Sequence, residues 1–255
     1  MKAFKEAVYK TVEVLTLGHG IRRVVGGETF RFPAKWSRYY ESDYEPETFK
    51  FFRTHLRPGS TVLDIGAHIG LFSVLAARLV SPGGRVFSFE PTPFTRSVLV
   101  EVIDLNEVAE IVEVRGEAVS DRSGKTVFYE TGDEISNANS LVHIDRSKAG
   151  IEVNLVSIDE FVTKIGIKPD CIKIDVEGAE LDLLNGARAT FTNIRPVARL
   201  GLHPPQIGKN GQTLEEIWDI LEEFRYSVQF EGGFVEKSWF CGQPELFDVN
   251  LIPAE

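Results

Sequence analysis

Cysteine is scarce in this chain, and the scarcity limits how the protein can be held together. Among 255 residues the two cysteines are Cys171 and Cys241, and neither lies in a Cys-x-x-Cys pair or a Cys/His cluster. The pattern therefore indicates neither a disulfide framework nor a zinc site. Free thiols are typical of a reducing compartment, so we expect a cytoplasmic location.

Long apolar runs are also missing. A membrane-spanning helix needs roughly 20 consecutive apolar residues, and no run in this sequence approaches that length. Residues 1–17 mix lysine and glutamate with apolar side chains, unlike a signal peptide. We expect this segment to form an amphipathic helix that packs on the rest of the protein.

Positive charge is in short supply. The sequence holds 28 lysine and arginine residues against 38 aspartate and glutamate residues, which gives a net charge of −10. Such a surface repels phosphate backbones, so a nucleic-acid substrate is disfavoured and a small-molecule substrate is expected. An exposed strand predicted near residues 125–131 could serve as a dimerisation edge, which leaves a homodimer open.

What the chain does have is a regular alternation of strands and helices from residue 61 onward. Seven short apolar strands are predicted at residues 61–65, 85–89, 111–118, 170–174, 196–202, 226–230 and 246–252, with helices at 70–80, 93–105, 177–191 and 214–224. This order predicts an α/β fold with a doubly wound, mostly parallel, seven-stranded sheet of the Rossmann-like type, whose last strand is antiparallel.

An N-terminal extension precedes this core. The segment Arg22–Phe32 reads as a hairpin whose turn is Gly26-Gly27, because glycine tolerates the positive φ of a tight turn. We therefore expect residues 1–57 to form a helix and hairpin extension packed on a ligand-binding domain of residues 58–255.

The first candidate binding motif follows the strand at residues 61–65. It reads Asp64-Ile65-Gly66-Ala67-His68-Ile69-Gly70, and its glycine spacing differs from the Gly-x-Gly-x-x-Gly of dinucleotide-binding proteins. Gly66 allows a sharp turn close to a ligand, and Gly70 opens a helix. Asp64 would repel a pyrophosphate but attract a cationic sulfonium cofactor. The alternative is a plain strand-to-helix turn.

A second motif follows the next strand. Glu90 stands 20 residues after Gly70 (90 − 70) and directly before Pro91. At this spacing an acid at the end of the second strand accepts hydrogen bonds from ribose hydroxyls. The alternative is a solvent-exposed glutamate at a strand end that binds no ligand, because it would give the same sequence pattern.

Two further strand ends carry groups suited to proton transfer. Asp175 and Glu177 follow the strand at 170–174, where a substrate would meet the cofactor, and Glu180 is expected to face solvent or to support the start of a helix. His203 follows the strand at 196–202 and titrates near neutral pH. A structural histidine satisfied by a neighbour is the alternative for His203.

Together these motifs resemble those of the FkbM family of methyltransferases. The run Lys-Ile-Asp-Val-Glu-Gly-Ala-Glu at residues 173–180 is the most specific match. The matching segments keep the family order and lie at residues 44–46, 57–59, 64–70, 89–91, 117–120, 139–141, 157–160, 172–181 and 203–204. Two positions depart from the family pattern: His68 stands where Asn is common, and Gly201 stands where an acid is usual.

The resemblance implies S-adenosylmethionine as cofactor, S-adenosylhomocysteine as product and, usually, methyl transfer to a hydroxyl oxygen. It also implies the residues that hold each part of the cofactor. They are Asp64, Gly66, Ala67, His68 and Gly70 for its amino acid end, Glu90 with Pro91 for the ribose, Glu117 and Ala118 for the adenine, and Asp175 for the region of the methyl group.

We therefore interpret the chain as an S-adenosylmethionine-dependent O-methyltransferase that acts on a hydroxyl of a small polar molecule such as a sugar or natural product. The candidate catalytic residues are Asp175, His203 and Glu177, with Asp175 or His203 as general base. A divalent metal could bind Asp175 together with Glu177, Asn139 or His203, but the spacing does not require it and we assign no metal ligands. An NAD-dependent oxidoreductase and a catalytically silent cofactor-binding module stay open as alternatives.

The acceptor pocket is expected between the N-terminal extension and a polar loop at Asp133–Ser140. Trp36, Tyr39 and Tyr40 could stack on a sugar or ring there, or they could pack against the N-terminal helix.

Overall fold

The computed structural model describes residues 9, 11, 14–129 and 150–254. Most of the helix predicted for residues 1–17 and all of the loop predicted at Asp133–Ser140 lie outside these residues. Within them, no helix combines the length and the apolar character that crossing a bilayer requires.

The strands of the described residues occur in the following chain order: β1 (Ile21–Val25), β2 (Glu28–Phe32), β3 (Thr61–Ile65), β4 (Arg85–Phe89), β5 (Val112–Arg115), β6 (Ala118–Val119), β7 (Gly124–Tyr129), β8 (Gly150–Val156), β9 (Cys171–Ile174), β10 (Val197–Leu202), β11 (Tyr226–Phe230), β12 (Gly233–Phe234) and β13 (Phe247–Pro253). The α-helices from residue 46 onward are α1 (Pro46–His55), α2 (Leu71–Val80), α3 (Pro93–Leu105), α4 (Ile158–Ile165), α5 (Glu180–Asn185), α6 (Pro204–Lys209), α7 (Leu214–Glu223) and α8 (Lys237–Cys241), and residues Thr190–Ile194 form a turn of π-helix.

The central sheet has the order β12-β11-β13-β10-β9-β3-β4-β5. Strands β5, β4, β3, β9 and β10 pair in parallel, whereas β13 runs antiparallel to both β10 and β11. The predicted Rossmann-like α/β fold with an antiparallel last strand is confirmed. The strand count is eight and not seven, because the glycine-rich turn after β11 folds back and adds the two-residue strand β12 at the edge.

The third predicted strand, at residues 111–118, is wrong as a single element. Strand β5 ends at Arg115, and β6 belongs to a separate three-stranded sheet with β8 and β7. At the bend, Gly116 packs against the guanidinium of Arg96, 3.0 Å from the position of a Cβ, so a side chain there would crowd that group. The bend brings residues 117–119 over the carboxyl end of the sheet.

The helix predicted over residues 177–191 is also interrupted. Glu177 (φ +52°) and Gly178 (φ +101°) are left-handed, so α5 begins only at Glu180. Gly186 then packs against the backbone of Ser120, whose carbonyl oxygen lies 2.1 Å from where a Cβ would stand. A continuous helix is incompatible with this turn and this close approach.

Apolar side chains cover both faces of the central sheet. Helices α4, α5 and α7 cover one face, with Phe161, Leu183 and Trp218 in its core. On the other face α2 and α3 pack together with the N-terminal hairpin and α1, through residues such as Phe30 and Phe49. The predicted hairpin is confirmed, with Gly26 and Gly27 both at positive φ in its turn. Coverage on both faces leaves the strand ends as the place for a ligand.

Candidate functional site

A cleft of about 840 Å³ opens at the carboxyl ends of β3, β4 and β9. The chain moves outward through β4 and β5 on one side of β3 and through β9 and β10 on the other, so this is the switch point where such sheets bind ligands. The lining residues belong to five segments, within residues 40–45, 65–72, 89–92, 117–119 and 173–177.

The loop after β3 is built around Gly66. Its φ is +79°, and a Cβ there would lie 1.9 Å from the carbonyl oxygen of Asp175. The backbone N–H groups of Gly66 and Ala67 both donate to the carbonyl of Phe89, at 3.1 and 2.9 Å. Gly70 begins α2 at φ +90°, where a Cβ would lie 2.4 Å from Leu99. Close packing on β4, β9 and α3 thus fixes the path of this loop.

Asp64 lies beneath the loop and not in the wall of the cleft. Its side chain is fully buried, its Oδ2 accepts a 2.6 Å hydrogen bond from Ser73, and Ser88 donates to Ser73 at 2.8 Å. Burial raises the pKa of Asp64, and Lys173 opposes that rise. Asp64 and Gly70 therefore shape the predicted cofactor loop from behind, while Gly66, Ala67 and His68 line the cleft.

Glu90 lines the cleft as a firmly held carboxylate. Its Oε2 accepts from the backbone N–H of His68 at 3.1 Å, and its Oε1 accepts from that of Thr92 at 2.9 Å. Burial raises the pKa of Glu90 to about 7. Pro91 also lines the cleft, and the Arg96 guanidinium donates to the carbonyls of Glu90 and Pro91. The carboxylate oxygens keep lone pairs for further donors.

His68 joins the loop to the N-terminal extension. The hydroxyl of Tyr40 lies 3.2 Å from His68 Nδ1, and the ring of Tyr39 lies 5.0 Å from the imidazole. Burial lowers the pKa of His68 to about 4, so the ring is neutral at pH 7. Tyr40 lines the cleft as a buried residue, whereas Trp36 packs on Phe94.

The three predicted catalytic residues come together at the inner end of the cleft. His203 Nε2 lies 3.6 Å from Asp175 Oδ1 and 3.4 Å from Glu177 Oε2. His203 Nδ1 lies 2.7 Å from Oε1 of Glu180, which is fully buried and does not face solvent. Lys173 Nζ donates to Asp175 Oδ2 at 3.2 Å. Asp175 and Glu177 line the cleft, and His203 lies behind them.

Burial and charge act against each other in this cluster. Burial raises the pKa of Asp175, but Lys173 and His203 outweigh it and the pKa falls below its usual value. Burial raises the pKa of Glu177 to about 7, even though His203 opposes the rise. Burial lowers the pKa of His203, but Glu180, Glu177 and Asp175 together raise it to about 9. The protonation states of Asp175, Glu177 and His203 therefore depend on one another, and the three groups titrate as one unit.

Glu117 and Ala118 line the opposite end of the cleft, next to Val119. Arg115 forms an ion pair with Glu117 and donates to Glu113 at 3.0 Å. The bend after β5 therefore brings the predicted adenine-end residues to the same cleft as Glu90 and Asp175.

Two cleft features escaped the sequence-based residue predictions. Lys173 lies in a buried strand and is 5% exposed, and its Nζ is bonded to Asp175. The sequence does contain a signal for Lys173: it is a lysine inside an apolar strand, and a buried charge needs a partner. Tyr44 and Glu45 also line the cleft, from the turn before α1. They belong to a segment that matches the family pattern but carries no chemistry by itself.

Comparison with known proteins gives a consistent result. Residues 64–228 match the family model described as the methyltransferase FkbM domain. The chain is 27% identical to the 2-O-methyltransferase NoeI of Sinorhizobium fredii, over 69% of this chain and 77% of NoeI. It is 30% identical to the 31-O-demethyl-FK506 methyltransferase FkbM of Streptomyces tacrolimicus, over 56% of this chain and 65% of that protein.

A third relative is the hexuronic acid methyltransferase AglP of Haloferax volcanii, which is 25% identical over 65% of this chain and 66% of AglP. The chain also matches part of a much longer protein, the AMB antimetabolite synthetase AmbE of Pseudomonas aeruginosa, and spans 10% of its length at 27% identity.

Proposed function

Because the chain belongs to the methyltransferase FkbM domain family, we propose that it transfers a methyl group from S-adenosylmethionine to a hydroxyl oxygen of a small polar molecule such as a sugar or natural product. One observation carries the proposal: Glu90, the Gly66 loop and Asp175 all line the same cleft at the switch point of the sheet. NoeI and FkbM, whose names describe O-methylation, support the choice of a hydroxyl acceptor.

The cleft fits this cofactor better than a dinucleotide. Glu90 presents a fixed carboxylate that can accept hydrogen bonds from two ribose hydroxyls. Among the described residues of the cleft wall, Lys173 is the one lysine or arginine, and it is bonded to Asp175. A pyrophosphate would rely on backbone N–H groups of the loop after β3, and those of Gly66 and Ala67 already donate to the carbonyl of Phe89, which weighs against an NAD-dependent oxidoreductase.

The cofactor, when bound, supplies a methyl group activated by its positively charged sulfur. Glu90 would hold the ribose, and the bare backbone at Gly66 and Ala67 would accommodate the amino acid end. Glu117 and Ala118 would flank the adenine. These contacts orient the reactants, and orientation can contribute several kcal/mol to catalysis.

The acceptor hydroxyl would contact Asp175 and Glu177 at the wall of the cleft, and the cluster that these two carboxylates form with His203 would receive its proton. Asp175 is the most exposed member, with 37% of its side chain accessible, while His203 is held behind it by Glu180. Replacing both Asp175 and His203, by Asn and Gln, should lower turnover and leave cofactor affinity largely intact. Unchanged turnover in that variant would contradict the assignment.

Isothermal titration with S-adenosylmethionine, S-adenosylhomocysteine and NAD⁺ tests the proposal. We expect the first two to bind and NAD⁺ not to bind. Glu90→Ala should weaken binding by roughly 10- to 100-fold, because hydrogen bonds to a charged group contribute about 1.5–3 kcal/mol. Glu113→Ala, which removes a half-exposed acid outside the cleft wall, is the matched control. Binding of NAD⁺ alone would overturn the proposal, and binding of none of the three would favour a silent module.

A further inference from the structure

Asp175 and Glu177 offer two carboxylates at the wall of the cleft, and His203 offers an imidazole directly behind them. We propose that these three side chains bind a divalent cation of the Mg²⁺ or Mn²⁺ type, and that the cation binds the acceptor through two adjacent oxygen atoms. The part that concerns the acceptor rests on the proposed function, whereas cation binding does not.

The ligand atoms are spaced as a small cation requires. One atom from each of the three residues lies within 4.8 Å of the others, and His203 Nε2 is 3.6 Å from Asp175 Oδ1 and 3.4 Å from Glu177 Oε2. An octahedral cation about 2.1 Å from each ligand places neighbouring ligand atoms roughly 3.0 Å apart and opposite atoms roughly 4.2 Å apart. The two distances from His203 Nε2 exceed the spacing of neighbouring ligands by about half an ångström, so small rotations of the two carboxylate side chains would bring them to a shared cation.

The imidazole is oriented for metal binding. His203 Nδ1 lies 2.7 Å from Glu180 Oε1, which also accepts the backbone N–H of Gly178 at 3.1 Å. With the proton on Nδ1 donated to Glu180, the lone pair of Nε2 points toward Asp175 and Glu177. Metal-binding histidines are commonly held in this way by a carboxylate behind the ring.

The negative charge of the carboxylates around His203 also favours the binding of a cation. Asp175, Glu177 and Glu180 carry three carboxylates around His203, and Lys173 neutralises one of them at 3.2 Å. Glu180 is fully buried, and its Oε2 accepts no hydrogen bond within the described residues. Because these carboxylates hold a proton on His203 in the absence of a metal, a divalent cation at Nε2 would take the place of that proton and compensate their charge.

A cation at this position would determine which chemical class of acceptor can bind. Three protein ligands leave about three of six coordination positions open on Mg²⁺ or Mn²⁺. A vicinal diol fills two of them with neighbouring oxygens. A metal-bound hydroxyl gives up its proton more readily than a free one, and the Glu177 carboxylate oxygen that does not bind the cation would accept it. The cation would thus make the contact with the acceptor that His203, behind Asp175, does not make. The acceptor class is therefore a polyol or sugar with adjacent oxygens.

Titration of chelator-treated protein with Mn²⁺, followed by electron paramagnetic resonance of the free ion, tests the site. We expect one Mn²⁺ per chain, and at least 10-fold weaker binding in Glu177→Gln and in His203→Gln. Glu113→Gln, at an acid outside the cleft wall, should bind Mn²⁺ like the unmodified protein. Thermal unfolding of each variant shows whether it folds, and two variants at different ligands guard against the failure of one.

The outcomes separate the cation from the methyl-transfer proposal. Loss of Mn²⁺ binding in folded Glu177→Gln and His203→Gln, with retention in Glu113→Gln, supports the site. No Mn²⁺ binding at millimolar concentration, or equal binding by all variants, overturns it. S-adenosylhomocysteine titrated in the presence of chelator reports on the cofactor site alone, so failure of the cation site leaves that result untouched.

Discussion

The carbonyl oxygen of Asp175 lies 1.9 Å from the position that a Cβ at Gly66 would occupy. The loop that would hold the cofactor and the strand end that would hold the acceptor are therefore in direct backbone contact. No flexible side chain separates them, and the N–H of Asp175 donates to the carbonyl of Ile65 at 3.0 Å. The fold would thereby fix the positions of the cofactor and the acceptor relative to each other.

We expect Gly66→Ala to lower the free energy of unfolding by about 3 kcal/mol or more and to abolish binding of S-adenosylhomocysteine. The methyl group would collide with Asp175, and φ +79° is unfavourable for alanine. Urea unfolding measures the loss. Gly208→Ala is the control, because Gly208 is an exposed helical residue with open space around it, and its effect should stay within about 0.5 kcal/mol. Equal effects of the two substitutions would contradict the close contact.

The affinity for S-adenosylhomocysteine should fall as the solution becomes acidic. Burial raises the pKa of Glu90 to about 7, and the ionised form is the one that can accept from the cofactor without losing its bonds to His68 and Thr92. If only that form binds, affinity drops roughly tenfold from pH 8 to pH 6. His68, with a pKa of about 4, stays neutral over this range. Glu177, whose pKa burial also raises to about 7, titrates in the same range, so a variant at Glu90 is needed to separate the two groups.

Isothermal titration at pH 8, 7 and 6 measures this dependence on pH. Glu90→Gln cannot ionise, so its affinity should be lower at pH 8 and nearly constant over the range. The assignment to Glu90 fails if the variant keeps the full slope, since another titrating group would then be responsible.

Local patterns in the sequence were sufficient for the elements that build the cleft. Strands β3 and β4 and helix α3 occur where the apolar spacing and the bounding Pro and Gly residues predicted them. The switch-point rule then directed attention to the ends of these strands, and Glu90, Asp175 and His203 all lie there. A period of two or of 3.6 residues is a local property, so one sequence reveals it.

Contacts between segments that are distant in the chain could not be predicted from local sequence patterns. Glu180 was expected to face solvent or to support the start of a helix; it does begin α5, but its side chain is buried against His203, 23 residues away in the chain. That pairing depends on the left-handed turn at Glu177 and Gly178, which no helical pattern predicts. Asp64 was expected to meet the cofactor, but the parallel pairing of β3 with β9 aligns it with Lys173 beneath the cleft.

Ser73→Ala should destabilise the protein by about 1–3 kcal/mol. Ser73 donates to the buried Asp64 at 2.6 Å and accepts from Ser88 at 2.8 Å, so its removal leaves Asp64 Oδ2 without a donor. Urea unfolding should show this loss, whereas Ser97→Ala, in an exposed position on α3, should change stability by less than about 0.5 kcal/mol. If Ser73→Ala left the stability unchanged, a water molecule would have to replace the hydroxyl as the donor to Asp64.

Lys173→Met should be the most damaging of these substitutions, with a cost of about 3–5 kcal/mol. Lys173 is 5% exposed and bonded to Asp175 at 3.2 Å, and Asp64 and Glu45 also raise its pKa. Methionine keeps the length and packing of the side chain but leaves buried carboxylates without their cation. Lys50→Met, at a lysine with 65% of its side chain exposed on α1, is the control and should cost less than about 0.5 kcal/mol. The two variants differ in burial and not in the charge removed, so similar urea midpoints would show that Lys173 does not hold these acids in place.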